Sequence, residues 1–220
     1  MPIKYPEPSK RLLRSGTTTV GIVCTDGVVL GTDTRATAGY FIAHKHVRKI
    51  FKIDDYVAAT MSGVVAEAQK VLETAQLAVR LYKSETGMRM SIKAIATYIS
   101  NILFSSRLFP YVIHTIVAGV DEQGPNMYMI DWFGSLTKER YIATGSGSPI
   151  ALGVLEDNYY EGISLKEAIP IVIRAINSAI RRDPGSGEGI DVVYITKDKY
   201  VELPKSEILN ILKTKVKKGS

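Results

Sequence analysis

Three consecutive threonines, Thr17, Thr18 and Thr19, have the clearest chemical potential in this sequence. They follow Ser15 and Gly16 directly, at the point where an apolar, alternating run begins. A threonine hydroxyl is a weak nucleophile until a base takes its proton, and an N-terminal residue carries such a base in its own α-amino group. This amine titrates near pH ~8, so part of it is uncharged at neutral pH.

A cut between Gly16 and Thr17 would expose that amine, whereas the uncut chain keeps it acylated. We therefore interpret residues 1–16 as a leader that holds the nucleophile inactive until the chain is assembled and cleaved. On these residues alone an alternative stays open, because threonines also favour the extended backbone at the start of a strand.

Two other groups of polar residues give weaker signals. The three histidines, His44, His46 and His114, have no metal-ligand spacing with the single cysteine, Cys24. The segment GSGSP at 145–149 precedes a predicted helix but lacks the lysine of a P-loop, so a capped loop is a better interpretation than a phosphate site. Neither group supports a function by itself.

Alternating apolar residues predict a series of strands. Residues 19–25 and 28–34 are expected to form a hairpin with Asp26 and Gly27 at its turn, followed by a loop at 35–41. The other predicted strands lie at 47–53, 56–61, 111–121, 126–134, 139–144, 191–198 and 200–203.

Apolar residues spaced three and four apart predict four helices. The first begins after Gly63, and Ser91 is expected to cap the second. Ser148 is expected to cap the third, and Ser164 with Glu167 forms a capping-box pattern before the fourth. The order of strands, two helices, strands, two helices and strands predicts an α+β fold of antiparallel sheets flanked by helices.

The composition indicates one soluble domain. The chain has 220 residues, of which 45% are hydrophobic, enough for one large core. Its net charge of +6 comes largely from lysines and arginines near the two ends, so a nucleic-acid-binding face is a weak interpretation. No apolar run is long enough for a membrane span or a signal peptide, and Cys24 is expected to be a buried hydrophobe in a reducing compartment. We expect a cytoplasmic protein without membrane or nucleic-acid partners.

Five separated motifs, in the same order and at similar separations, resemble those of archaeal-type proteasome core-particle β subunits. They are SGTTTVGIV, GTDTRATAG, VRKIFKI, ATMSG and RRDPGSGEGI. The resemblance extends from Gly16 to about Leu203. These subunits are N-terminal-nucleophile hydrolases, so it implies a four-layer αββα sandwich of two antiparallel sheets. It also implies a propeptide at 1–16 that is removed by autocleavage, a catalytic domain at 17–204 and a basic C-terminal tail at 205–220.

The resemblance also implies catalytic roles for residues in these motifs. Thr17 would attack the scissile carbonyl group and form an acyl-enzyme. Lys49 would lower the proton affinity of the amine beside it, and Asp33 would orient the lysine. The positions that hold the amine and a water molecule are matched by Ser146, Asp183 and Ser186.

Further residues match positions that bind the substrate. The backbone N–H of Gly63 would stabilise the oxyanion, and the backbones of Thr37 and Val65 would pair with an extended peptide. The specificity pocket is matched by Ala36, Val47 and Met61. Because these three side chains are small or apolar, we predict a chymotrypsin-like preference for hydrophobic residues before the cut and poor cleavage after acidic ones.

The sequence departs from the family at Val64 and Val65, where a second glycine and a small residue are common. The two β-branched side chains are expected to restrict the backbone at Gly63 and to narrow the pocket. This leaves open a structural or regulatory β subunit that stays unprocessed beside an active paralogue, although the expected nucleophile, lysine and aspartate are all present. A bacterial-type threonine protease is disfavoured by the RDPGSGEGI segment and the length after it.

The partners that the resemblance implies are those of a compartmentalised protease. They are other β subunits in a seven-membered ring, α-subunit rings, an ATP-dependent unfoldase and unfolded protein substrates. Stacked rings would keep the site away from folded proteins. No metal ion and no organic cofactor are implied.

Overall fold

The computed structural model describes residues 16–214. The first half of this range contains β1 (Thr19–Val23), β2 (Val28–Asp33), β3 (Ala36–Ala38), β4 (Phe41–His44), β5 (Ile50–Asp54), β6 (Val57–Thr60), β7 (Ser62–Gly63), α1 (Val65–Thr86) and α2 (Ile92–Ser105). The second half contains β8 (Ile113–Asp121), β9 (Gly124–Ile130), β10 (Leu136–Lys138), β11 (Tyr141–Thr144), α3 (Ser148–Asn158), α4 (Leu165–Ile180), β12 (Ile190–Ile195), β13 (Tyr200–Glu202) and α5 (Lys205–Thr214).

Two antiparallel sheets face each other at the centre of the fold. The first sheet has the strand order β11-β1-β2-β12-β13, and the second has the order β10-β9-β8-β6-β5, with β7 paired to β8. Helices α3, α4 and α5 cover the outer face of the first sheet, while α1 and α2 cover the second. The predicted α+β fold with four layers in the order αββα is confirmed.

Apolar side chains fill the spaces between the layers. Val20 and Ile22 of β1 pack with Ile176 of α4, whereas Leu30 of β2 and Ile116 of β8 meet between the sheets. The inner strands are therefore buried on both faces, and every residue of β2 is buried. This burial explains why β2 begins with three consecutive apolar residues, 28–30, rather than with an alternating pattern.

Local signals at two helix starts act as predicted. The Ser91 hydroxyl accepts the Ala94 N–H at an N···O distance of 3.2 Å and so caps α2. At α4, the Glu167 carboxylate accepts the Ser164 N–H at 3.1 Å. The cap of α3 was predicted one residue too late, because Gly147 takes that position and Ser148 is already helical.

Residues 35–41 were predicted to be a loop, and this prediction was wrong. Strands β3 and β4 pair there as a two-stranded hairpin, in which Gly39 turns the chain with a φ of 63°. The hairpin is short and largely exposed, with the Tyr40 and Phe41 side chains at its tip. Because it buries little apolar surface, no alternating pattern marks it in the sequence.

The strand predicted at 126–134 ends earlier, at Ile130. A turn follows in which the Asp131 carboxylate accepts the N–H groups of Phe133 and Ser135, both at 2.9 Å. The chain then returns as β10, which was not predicted. Aspartate favours such turns because its short side chain bonds the backbone two residues ahead.

The predicted basic tail begins with a helix that packs on the domain. Ile208 of α5 is 3% exposed and belongs to the apolar layer over the first sheet. The Lys205 ammonium donates to the Ile190 carbonyl oxygen at 2.6 Å. The domain boundary at residue 204 stays a prediction, and residues 1–15 of the predicted propeptide and 215–220 of the predicted tail lie outside the described residues.

Cys24 is expected to be chemically inert in the folded chain. Burial raises the pKa of its thiol to about 12, and the carboxylates of Asp26 and Glu167 add to the effect. Since the thiolate is the reactive form, a disulfide reagent at neutral pH should leave native Cys24 unmodified and should label it fully after unfolding. Labelling of the native chain at the rate of an exposed thiol would contradict this expectation.

Candidate active site

Thr17 lies two residues before β1 and is 2% exposed. In the uncut chain its hydroxyl donates to the Gly16 carbonyl oxygen at an O···O distance of 2.7 Å. Its backbone N–H donates to Ser146 Oγ at 3.2 Å. The hydroxyl therefore lies against the peptide bond whose hydrolysis would free the Thr17 amine.

A buried ion pair joins the two sheets beside Thr17. Asp33 ends β2 of the first sheet and Lys49 precedes β5 of the second, and Lys49 Nζ lies 2.7 Å from Asp33 Oδ1. The Lys49 side chain is 2% exposed and the Asp33 side chain is 0% exposed. The Asp33 carboxylate also accepts the backbone N–H groups of Thr18, Arg35 and Gly187 at 2.9, 3.0 and 2.9 Å. Four donors therefore hold the carboxylate in one orientation towards the lysine.

Burial lowers the pKa of the Lys49 ammonium below its ordinary value of 10.5, and the Asp33 carboxylate offsets only part of this effect. Between the lowered pKa and 10.5, the folded chain binds fewer protons than the unfolded chain. The contribution of Lys49 to the free energy of unfolding therefore rises with pH in that window. Its ammonium releases a proton more readily than that of a surface lysine.

Ser146, Asp183 and Ser186 form a polar cluster on the other side of Thr17. The hydroxyls of Ser146 and Ser186 donate to Asp183 Oδ2 at 2.6 and 2.7 Å. Because the Ser186 proton points to the carboxylate, the Thr18 hydroxyl donates to Ser186 Oγ, at 2.7 Å. Together with the ion pair, this cluster fixes the backbone of the first two threonines from two sides.

Two glycines of the site lie where no side chain fits. Gly63 has a φ of 110°, in the region that favours glycine, and a Cβ on it would overlap the Val112 carbonyl oxygen. A Cβ on Gly16 would overlap the backbone of Gly185. The chain thus brings two backbone segments into direct contact at the predicted cleavage point.

Three predicted substrate-binding residues lie close together along the chain after Asp33. Ala36 is buried and, like Thr37, belongs to β3, while Val47 follows β4 and is partly exposed. The Val47 N–H donates to the Thr34 carbonyl oxygen at 2.9 Å. The Thr37 hydroxyl accepts the Gly16 N–H at 2.8 Å, so the residue before Thr17 contacts β3.

The other two substrate-binding candidates flank Gly63. Met61 is buried, and its N–H donates to the Lys49 carbonyl oxygen at 2.8 Å. Val65 is the first residue of α1, and Val64 before it is extended, with φ of −74° and ψ of 112°. β-Branched residues favour extended backbone, so Val64 adopts this conformation without strain. Its effect on the width of the pocket stays a prediction.

Sequence reasoning missed three residues that fix the Asp33 carboxylate: Thr18, Arg35 and Gly187. The Arg35 guanidinium also donates to the Pro184 carbonyl oxygen at 2.9 Å and to Glu188 Oε1 at 3.1 Å. A Cβ on Gly187 would overlap that guanidinium. The three glycines of PGSGEG were the available signal, since glycine often marks a close backbone approach.

The site offers a buried hydroxyl, carboxylates and an ammonium as its reactive groups. Across residues 16–214, His, Cys, Asp and Glu side chains nowhere gather in threes in a way that could hold a metal ion. Within the same residues, no helix has the length and apolar character needed to cross a membrane. The arrangement suits the hydrolysis of an acyl bond by an activated hydroxyl.

Residues 13–195 match the proteasome subunit family. The matched residues include most of the fold and the whole site described above. The chain belongs to this family. The predicted resemblance is therefore confirmed at the level of the family, and the Thr17 region lies inside the matched part of this proteasome subunit.

Archaeal relatives of this proteasome subunit are named as β subunits. Proteasome subunit beta 1 of Pyrobaculum calidifontis is 59% identical over 182 residues, which cover 82% of this chain and 90% of the relative. Proteasome subunit beta 2 of Pyrobaculum islandicum is 57% identical over 185 residues, 84% of this chain and 92% of the relative. Proteasome subunit beta 2 of Hyperthermus butylicus is 49% identical over 213 residues, 97% of this chain and 100% of the relative.

Proposed function

We propose that this proteasome β subunit is a threonine endopeptidase whose nucleophile is Thr17, exposed when residues 1–16 are removed. The observation that carries the proposal is the contact of the buried Thr17 hydroxyl with the Gly16 carbonyl group, at 2.7 Å. The Asp33–Lys49 ion pair beside it supports the proposal. Peptide hydrolysis by particles assembled from this chain, compared with particles that carry Thr17→Ala, tests it.

Removal of the leader is an intramolecular acyl transfer followed by hydrolysis. The Thr17 oxygen attacks the Gly16 carbonyl carbon, the C–N bond breaks, and the hydroxyl proton passes to the Thr17 nitrogen. A water molecule then hydrolyses the Gly16–Thr17 ester. The products are a carboxylate on Gly16, a free amine on Thr17 and the restored hydroxyl.

In turnover, the freed amine is the base that takes the Thr17 hydroxyl proton. The ammonium of Lys49 disfavours a second positive charge nearby and so keeps the amine in its uncharged form. Ser146 Oγ, held by Asp183 at 2.6 Å, already bonds the Thr17 nitrogen in the uncut chain and would position the amine after cleavage. Ser186 completes this cluster.

Gly63 is proposed to donate its backbone N–H to the oxyanion. The tight approach to Val112 and the φ of 110° support a role for the backbone at this position. An extended peptide would pair with the backbones of Thr37 and Val65, which gives affinity with little dependence on side chains.

The cleavage preference is proposed to be for hydrophobic residues, and Val47 offers a test because it is partly exposed. Particles with wild-type chain should cleave after leucine or tyrosine with kcat/KM at least about tenfold above that for glutamate, since a buried carboxylate would lack a partner. Val47→Arg should raise relative cleavage after glutamate, whereas the matched variant Val47→Met should not. Equal cleavage after glutamate and leucine by the wild type would contradict the preference.

A second candidate function is a structural β subunit that stays unprocessed beside an active paralogue. The departure at Val64 and Val65 favours it, although the extended backbone at Val64 suits a β-branched residue. A buried lysine and a four-donor carboxylate are costly for a purely structural subunit, which favours the peptidase.

The subunit is proposed to work inside a cytoplasmic core particle. Seven β subunits would form a ring, stacked with a second β ring and with α-subunit rings, and an ATP-dependent unfoldase would deliver unfolded proteins. The family membership supports this assembly.

A further inference from the structure

A row of buried threonines lies between the two sheets, next to Thr17. Thr19 of β1 and Thr144 of β11 belong to the first sheet, and Thr60 of β6 and Thr115 of β8 belong to the second. Each of the four is at most 6% exposed. Apolar side chains, among them Val28, Leu30, Ile116, Met127 and Val193, form most of the core between the sheets, and the buried Thr32 lies beside Thr19. The hydrogen-bonded row lies at the end of this layer that adjoins Thr17.

Thr60 is the central member of this row. Its hydroxyl donates to Thr19 Oγ1 at 3.2 Å and accepts the Ile116 N–H at 3.1 Å. The Thr19 hydroxyl in turn lies 2.7 Å from Thr144 Oγ1, and the Thr60 carbonyl oxygen accepts the Thr115 hydroxyl at 2.5 Å. These bonds run without a break from β8 and β6 of the second sheet to β1 and β11 of the first.

The same residue contacts the segment that carries the proposed catalytic groups of the second sheet. Thr60 pairs with Ile50, the residue after Lys49, and it stands three positions before Gly63. On the first sheet, the hydrogen-bond partner of Thr60 is Thr19, which stands two positions after Thr17. One side-chain hydrogen bond thus connects the strand of the nucleophile with the strands of the lysine and of the oxyanion glycine.

The hydroxyls of this row fix geometry as well as adding stability. Burying a hydroxyl has a desolvation cost that its hydrogen bonds largely offset, and valine at Thr60 would also leave the Ile116 N–H without its acceptor. Hydrogen bonds differ from apolar contacts in being directional, so they fix one relative position of the two sheets.

We infer that Thr60 is a positioning residue: its hydroxyl holds the strand of Thr17 at a fixed place relative to Lys49 and Gly63. The kinetic consequence rests on the proposed function. A misplacement of about 1 Å at a reacting group costs up to about 10²-fold in rate, so the effect should appear in kcat rather than in KM.

Thr60→Val keeps the shape of the side chain and removes its hydroxyl. In assembled particles it should lower kcat about tenfold or more and leave KM within about twofold, whereas Thr60→Ser should retain about half of kcat or more. Thr19→Val removes the same bond from the other side together with the bond to Thr144, should lower kcat at least as much, and serves if Thr60→Val does not fold. A kcat of Thr60→Val equal to that of the wild type would overturn the inference, as would an equal loss in Thr60→Ser.

Thr32→Val is the matched control. Thr32 pairs with Thr19 across β1 and β2 and is 0% exposed, and its hydroxyl finds no hydrogen-bond partner among residues 16–214. Its replacement by valine should therefore leave kcat and KM unchanged, although the site is equally buried.

A second measurement needs no catalysis. In the unprocessed full chain with Thr17→Ala, deuterium exchange around residues 17–20 should become faster when Thr60→Val is added, and it should not change with Thr32→Val. The Ile116 amide is left out of this comparison because the substitution removes its acceptor directly. If wild-type particles hydrolyse no peptide, the proposed function fails, and this exchange comparison alone decides on the positioning role. Unchanged exchange around residues 17–20 with Thr60→Val would overturn the inference.

Discussion

Thr17→Ala is expected to leave the chain at full length and to lower peptide hydrolysis by about 10³-fold or more. The physical reason is that the proposed mechanism uses the same hydroxyl oxygen in both reactions. This oxygen lies 2.7 Å from the Gly16 carbonyl oxygen in the full-length chain and would attack substrate carbonyl groups after cleavage. Hydrolysis of a fluorogenic peptide by purified particles, together with the intact mass of the subunit, measures both effects.

Thr25→Ala is the matched control for this variant, because Thr25 is an exposed threonine at the turn of the first hairpin. It should be processed and active like the wild type. Particles that contain Thr17→Ala should still assemble, since the substitution removes only one buried hydroxyl. Retained hydrolysis by otherwise pure Thr17→Ala particles would exclude Thr17 as the nucleophile.

Asp33→Ala is expected to destabilise the chain by about 3–5 kcal/mol, the usual cost of leaving one partner of a buried ion pair alone. The substitution strands the Lys49 ammonium, which is 2% exposed, and three backbone N–H groups. Lys49→Met should cost clearly less, because the carboxylate keeps those three donors and methionine fills most of the space of the lysine stem.

The two variants are best compared in a Thr17→Ala background, where every chain keeps its leader. Urea unfolding of the full-length chains then gives the difference in the free energy of unfolding. In the active background both variants should lose hydrolysis about 10²-fold or more, since in the proposed mechanism Lys49 acts on the reacting amine and Asp33 orients Lys49. Equal free energies of unfolding for Asp33→Ala and Lys49→Met would contradict the prediction that the three backbone bonds of the Asp33 carboxylate add to the stability of the chain.

Much of the fold was predictable because local rules act there. The hairpin of β1 and β2, the cap at Ser91 and the pair of Ser164 and Glu167 all rest on residues a few positions apart. The hairpin of β3 and β4 and the short β10 were missed because they bury little and depend on neighbours elsewhere in the fold. Strand pairs of three residues carry too few apolar positions to show a period.

The site was predictable only through the family motifs. Nothing local links Asp33 to the Gly187 N–H, which is 154 positions away and donates at 2.9 Å. The contact exists because β2 and β12 pair in the first sheet and leave these residues at the same end. Likewise, the bond of Thr60 to Thr19 depends on two sheets that meet face to face, a relation that no sequence period encodes.

The intact mass of the wild-type subunit from assembled particles shows whether Thr17 becomes the N-terminal nucleophile. We expect a mass that lacks residues 1–16, so that the chain begins at Thr17 with a free amine. A full-length mass in assembled particles would contradict this expectation and would favour the structural subunit, with Val64 and Val65 as the first positions to change.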